Sequence, residues 1–119
     1  MRIMIIGASN DRSKYGNKAV RAYVRQGHTV LPVNPNESSV EGLPCFTSIA
    51  GVPGPIDRAA FYVPPAIGVG AMRQLGERKD VGEVWLNPGS ESQEVLDAAA
   101  AVGIEPIQAC AIVDIGEMP

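Results

Sequence analysis

The chain has 119 residues, 45% of them hydrophobic, and a formal net charge of −3, which fits one domain with its own core. That balance excludes a general binder of nucleic acid or anionic membrane, and no apolar run approaches the ~18 residues a membrane span needs. Cys45 and Cys110 form neither a CxxC pair nor a zinc pattern; with no secretory leader in the opening residues, a cytoplasmic protein with reduced thiols is expected.

The run Ile3-Met4-Ile5-Ile6 predicts a buried strand over 2–6 that empties into Gly7-Ala8-Ser9-Asn10. Strand, glycine turn and helix in succession make a phosphate site. Backbone N–H groups can face an anion there, and the helix N-terminus adds about half a positive charge. The turn is no clean GxGxxG, since the next glycine is Gly16 and the loop carries Ser9, Asn10, Arg12, Ser13, Lys14 and Tyr15. The competing reading is that Gly7 and Gly16 only permit tight strand–helix packing. A helix is predicted over 16–26, with Val20, Tyr23 and Val24 facing the core and Gly27 as its C′ residue. Lys14, Lys18, Arg21 and Arg25 recur at helical spacing as a basic ridge; Lys14 and Lys18, nearest the loop, are the phosphate candidates.

The second strand, 29–33, ends in Val33-Asn34-Pro35-Asn36. Enzymes that use NAD place an acid there to grip the ribose diol, whereas here none occurs before Glu37. An uncharged end tolerates a phosphate on the adenosine ribose, which points to NADP or coenzyme A. Asn34-Pro35 is also an ordinary turn signal. The stretch 34–57, broken by prolines and glycines, is read as a link with one short turn around 47–50. A third strand, 58–63, runs into Val63-Pro64-Pro65, a rigid apolar wall suited to an adenine or a pantetheine arm. Pro65 fits the first turn of a helix over 65–79. The fourth strand, 82–86, holds Trp85 as a core residue and leads to Asn87-Pro88-Gly89-Ser90, placed for the far end of an extended ligand. Ser90 with Gln93 reads as a capping box for a helix over 91–102, followed by Gly103 and a weaker fifth strand over 104–108.

Apolar strands alternating with amphipathic helices predict a single α/β domain over 1–119. It is a Rossmann-like open parallel sheet of about five strands, in the order 3-2-1-4-5, with helices on both faces. Ligands of such sheets bind at the carboxyl ends of the strands. Catalytic furniture is sparse. His28, the only histidine, lies at the opposite end; Cys110 reads as an inert thiol, with a reactive one as the alternative; Asp114 is read as pairing a cation or capping a turn. No Ser/His/Asp set, metal cluster or Walker lysine motif is present.

Gly7-Ala8-Ser9, Lys14-Tyr15-Gly16-Asn17-Lys18, Val33-Asn34-Pro35, Val63-Pro64-Pro65 and Trp85-Leu86-Asn87-Pro88-Gly89 together resemble the CoA-binding domain family. Its members include stand-alone domains and the N-terminal half of the succinyl-CoA synthetase α subunit. The resemblance implies that Gly7 to Ser9 with Lys14 to Gly16 hold CoA phosphates. It places Asn34 and Pro35 beside the adenosine, and Val63 to Pro65 against the nucleotide and the start of pantetheine. His28 does not match the synthetase phosphohistidine, which lies in another domain, so binding of CoA or an acyl-CoA without catalysis is expected. Several stand-alone relatives start with a helix before the first strand. This chain starts on the strand, so an exposed sheet face or a dimerisation surface is expected, open to a homodimer or another protein partner. Two other readings stay open: an NADP-linked oxidoreductase fragment, and an interaction protein with a degenerate nucleotide pocket.

Overall fold

A computed structural model describes residues 1–119. In chain order the elements are β1 (Arg2–Ile6), α1 (Tyr15–Arg25), β2 (Thr29–Val33), β3 (Ser39–Val40) and β4 (Leu43–Pro44). β5 (Ile56–Phe61), α2 (Pro65–Arg78), β6 (Val81–Leu86), α3 (Gln93–Ala101), β7 (Ile107–Gln108) and α4 (Ala111–Asp114) follow. The main sheet is parallel throughout, in the order β2-β1-β5-β6-β7.

Period-two alternation along these strands divides the interior into two cores. Met4, Ile6, Ala59, Phe61, Val84 and Leu86 face Met72 and Leu75 of α2 and Val95 of α3. Ile3, Ile5, Ala60 and Trp85 face Val20 and Tyr23 of α1 and Ile112 of α4. Strands buried on both faces read as unbroken apolar runs, as the sequence of β1 does.

The 3-2-1-4-5 order is met, with its third place reduced to one parallel bridge at Phe46 beside Val33. Phe46 N donates to Pro32 O at 2.9 Å. Pro32 has no N–H to offer on that same side, so the ladder stops there. The run at 58–63, expected in that third place, lies against β1 instead.

Several local expectations shift. The β3–β4 hairpin replaces plain linker; its turn is Glu41-Gly42, both at positive φ (49° and 78°), as a two-residue hairpin turn demands. Val20 and Tyr23 are buried as predicted, but Val24 is 47% exposed, and Ala19 and Ala22 complete the buried face of α1. Ser92, not Ser90, caps α3: its side chain accepts from Val95 N at 3.2 Å. The fifth strand shrinks to Ile107–Gln108, starting just after Pro106, which cannot donate to a ladder. Gly27 and Gly103 follow their helices at positive φ, and Pro65 opens α2, as predicted.

Candidate functional site

At the carboxyl ends of the strands lie two adjoining cavities of about 510 and 530 Å³. Gly7, Lys14, Val63 and Pro64 belong to both walls, so the two form one groove. Tyr15, Gly16, Pro65 and Pro88 line the first cavity. Asn34, Pro35, Asn36, Thr47, Ser48 and Ile67 line the second.

The groove exists because the first turn packs without side chains. Gly7 has φ 91°, and a Cβ there would overlap the Tyr62 carbonyl; a Cβ at Gly16 would overlap the Gly7 carbonyl oxygen. The packing reading of both glycines therefore holds. The same close approach sets the N-terminus of α1 on the cavity.

The free amides are not those next to the opening glycine. Gly7 N and Ala8 N both donate to Val33 O, at 3.1 and 3.3 Å. Asp11 occupies the middle of the loop: its Oδ1 accepts from Ser13 N at 3.0 Å and Ser13 Oγ at 2.6 Å, and its carbonyl accepts from Lys14 N at 3.0 Å. Those Ser13 hydrogen bonds hold the Asp11 carboxyl below its ordinary range. The amides that open α1, on Tyr15 and Gly16, have no acceptor within the helix and stand in the cavity wall.

Two helices aim bare N-termini at this groove. Neither α1, after Lys14, nor α2, after Pro64, has a side-chain cap or an acid in its first turn. By contrast α3, which starts beyond the groove, has both: Ser92 as cap and Glu94. Positive helix ends left unneutralised on a shared cavity attract an anion.

Lys14 is the one cationic side chain in either wall. Lys18 lies outside, with its Nζ 4.8 Å from the Tyr15 ring centroid. The rest of the ridge is committed: Arg21 donates to Asn17 Oδ1 at 2.7 Å, and Arg25 pairs with Glu117 at 2.7 Å. Other predicted residues act as struts. Ala8 is buried, Ser9 Oγ accepts from Asp11 N at 3.0 Å, and Asn10 Nδ2 donates to Glu37 Oε2 and Ser39 O. Glu37 is thereby drawn to the first loop. Asn34 lines the second cavity with Pro35, while its amide donates to Ala8 O at 2.8 Å. Asn87 is buried and ties Phe61 O to Ala111 N.

His28 stands at the other end of the sheet, its ring pushed toward the neutral form chiefly by burial. Asp114 pairs with Arg58 at 2.8 Å, the cation its sequence reading allowed for. Cys110 is half-buried before α4 and packs in the cluster that holds Tyr62. The Tyr62 hydroxyl is buried without a hydrogen-bond partner, and burial raises its pKa. Sequence reasoning missed Thr47, Ser48 and Ile67. Thr47 and Ser48 reach the groove only because Phe46 returns to β2, and Ile67 offered just its place in the first turn after Pro64-Pro65. No His, Cys, Asp and Glu group is arranged to hold a metal, and no helix is long and apolar enough to cross a membrane.

A parallel sheet with a glycine turn after β1 and a groove at its carboxyl ends defines a Rossmann-like α/β domain. Within that class, residues 1–116 match the CoA binding domain family, and the chain belongs to it. It is 32% identical over 117 residues to the acetate–CoA ligase (ADP-forming) II α subunit of Pyrococcus furiosus, covering 88% of this chain and 25% of that one. With acetate–CoA ligase (ADP-forming) I of Archaeoglobus fulgidus it shares 34% identity over 113 residues, 87% of this chain and 16% of that protein. The chain thus spans a quarter or less of these curated relatives. Among solved structures, a conserved hypothetical protein from Pyrococcus furiosus superposes with a TM-score of 0.87 at 33% identity, covering 95% of this chain and 97% of the other.

Proposed function

We propose that this groove binds coenzyme A or an acyl-CoA, and that any chemistry on the thioester falls to a partner protein. One observation carries the reading: two uncapped helix N-termini and Lys14 converge where the two cavities meet. A diphosphate at that junction would accept from the Tyr15 and Gly16 amides and from Lys14 Nζ. The adenosine would then extend over Asn34 and Pro35, past a β2 end with no carboxylate turned to the groove. The pantetheine would run along Val63 to Pro65 toward Pro88. Family membership and the ligase relatives support the same ligand class. Ala8, Ser9, Asn10, Lys18 and Asn87 serve this reading as supports of the groove.

Calorimetric titration with CoA, acetyl-CoA, dephospho-CoA, NADP and NAD tests it. CoA binding with no comparable NADP binding is the expected result; NADP binding alone would move the chain to the oxidoreductase reading, and no binding at all to an interaction protein. Lys14→Ala should weaken CoA and dephospho-CoA alike, about tenfold for a charge-assisted contact in a partly solvated groove. A loss confined to CoA would put Lys14 on the 3′-phosphate instead.

A further inference from the structure

Asn87 joins the groove wall to the C-terminal turn. It closes β6 at 3% exposure. Its Nδ2 donates to Phe61 O, at the end of β5, over 2.9 Å, and its Oδ1 accepts from Ala111 N, the first residue of α4, over 2.8 Å. Its own carbonyl accepts from Ser90 N at 3.0 Å and Ser90 Oγ at 2.7 Å. Phe61 and Ser90 both stand in the wall of the first cavity. One primary amide, with a donor on one atom and an acceptor on the other, therefore holds two sides of the wall and the start of α4 in one register.

The far end of that connection depends on polar anchors. α4 is four residues long and buries only Ala111 and Ile112. Tyr23 Oη donates to Ala111 O at 2.6 Å, and Arg58 Nη1 bonds both Tyr23 Oη at 3.0 Å and Asp114 Oδ2 at 2.8 Å. A short segment with little apolar burial opens locally at a lower cost than the whole domain. When α4 opens, Asn87 Oδ1 loses its partner inside the protein, and the cost of that unsatisfied buried acceptor bears on the remaining bond to Phe61 O. The Phe61–Asn87–Ser90 wall then loosens.

We propose that Asn87 is a positioning residue that couples docking of α4 to the shape of the groove, so that a ligand in the groove holds α4 down. Coupling of this kind is reciprocal in free energy. The inference rests on the reading of the groove as a CoA site.

The test is amide hydrogen exchange of residues 111–116 in the wild-type chain, with and without saturating CoA. CoA should slow exchange there at least about fivefold, the lower end of ordinary site-to-site coupling. In Asn87→Ala the slowing should vanish while CoA still binds, more weakly. Asn87→Asp keeps an acceptor for Ala111 N but loses the donor to Phe61 O, and serves if the alanine variant fails to fold; it too should bind CoA without protecting α4. A purely structural role would lower the stability of both variants and leave CoA's effect on α4 intact. CoA binding with unchanged exchange at 111–116 in the wild type overturns the coupling alone. Absence of CoA binding to the wild type overturns the functional reading and takes the coupling with it.

Discussion

Replacing Gly16 by alanine sets two known effects of opposite sign against each other. Inside a helix, glycine to alanine ordinarily stabilises by up to about 1 kcal/mol. Gly16 is the second residue of α1, and a Cβ there would lie 3.1 Å from the Gly7 carbonyl carbon and closer still to its oxygen. Both atoms are backbone, so neither can swing aside; the helix must back away from the turn. Overpacking costs about 1–3 kcal/mol; against immovable backbone the upper part of that range, about 2–3 kcal/mol, applies, leaving a net loss of about 1–2 kcal/mol after a propensity gain of about 1 kcal/mol. For a domain of this size each kcal/mol is worth about 4 °C in Tm, so a fall of about 4–8 °C is expected by calorimetry. Gly70→Ala supplies the contrast. It lies within α2 with nothing within 4 Å of its would-be Cβ, and should raise Tm by up to about 4 °C. CoA affinity should fall in Gly16→Ala because the Tyr15 and Gly16 amides move off the cavity. A Gly16→Ala protein as stable as the wild type, with CoA affinity unchanged, would refute both the packing account and the placement of those donors.

Arg78→Lys should cost about 2 kcal/mol in urea denaturation, because the guanidinium bonds Ile49 O, Val52 O and Gly54 O at 2.7–2.8 Å and an ammonium cannot match that fork. An unchanged midpoint would show the loop held otherwise. Acid should destabilise the fold in two stages. His28 has its pKa lowered from 6.5, chiefly by burial, so its contribution is complete above 6.5 and is lost as pH falls through the folded value. Asp80 and Glu117, lowered from 3.8 and 4.5 by hydrogen bonds from Arg78 and Gln26, lose theirs at lower pH still. His28→Gln should flatten the slope of stability just below pH 6.5, and an unaltered slope would remove His28 from the account. Glu37→Gln should change CoA and NADP affinity by no more than about twofold, since its carboxylate is spent on an exposed contact with Asn10; a large gain for either would place that charge at the sugar.

What the sequence determined by itself is local. The apolar run of β1, the glycine turn behind it, the helix spans and the glycines that end two helices follow from side-chain periodicity and backbone sterics over a few residues. The absence of an acid before Glu37 was equally visible. Even the β3–β4 hairpin had a readable turn in Glu41-Gly42. The tertiary structure alone decided which donors remain free at the site. Gly7 and Ala8 give their amides to Val33 O, which adjoins them only because β2 lies beside β1. Asn10 and Asn87, both read as ligand contacts, bond groups 27 and 24 residues away in sequence. The strand at 56–61 sits against β1, while the place beyond β2 holds only Phe46. Hydrogen-bond partners so distant are set by sheet order and loop return, and neither leaves a periodic trace in the chain.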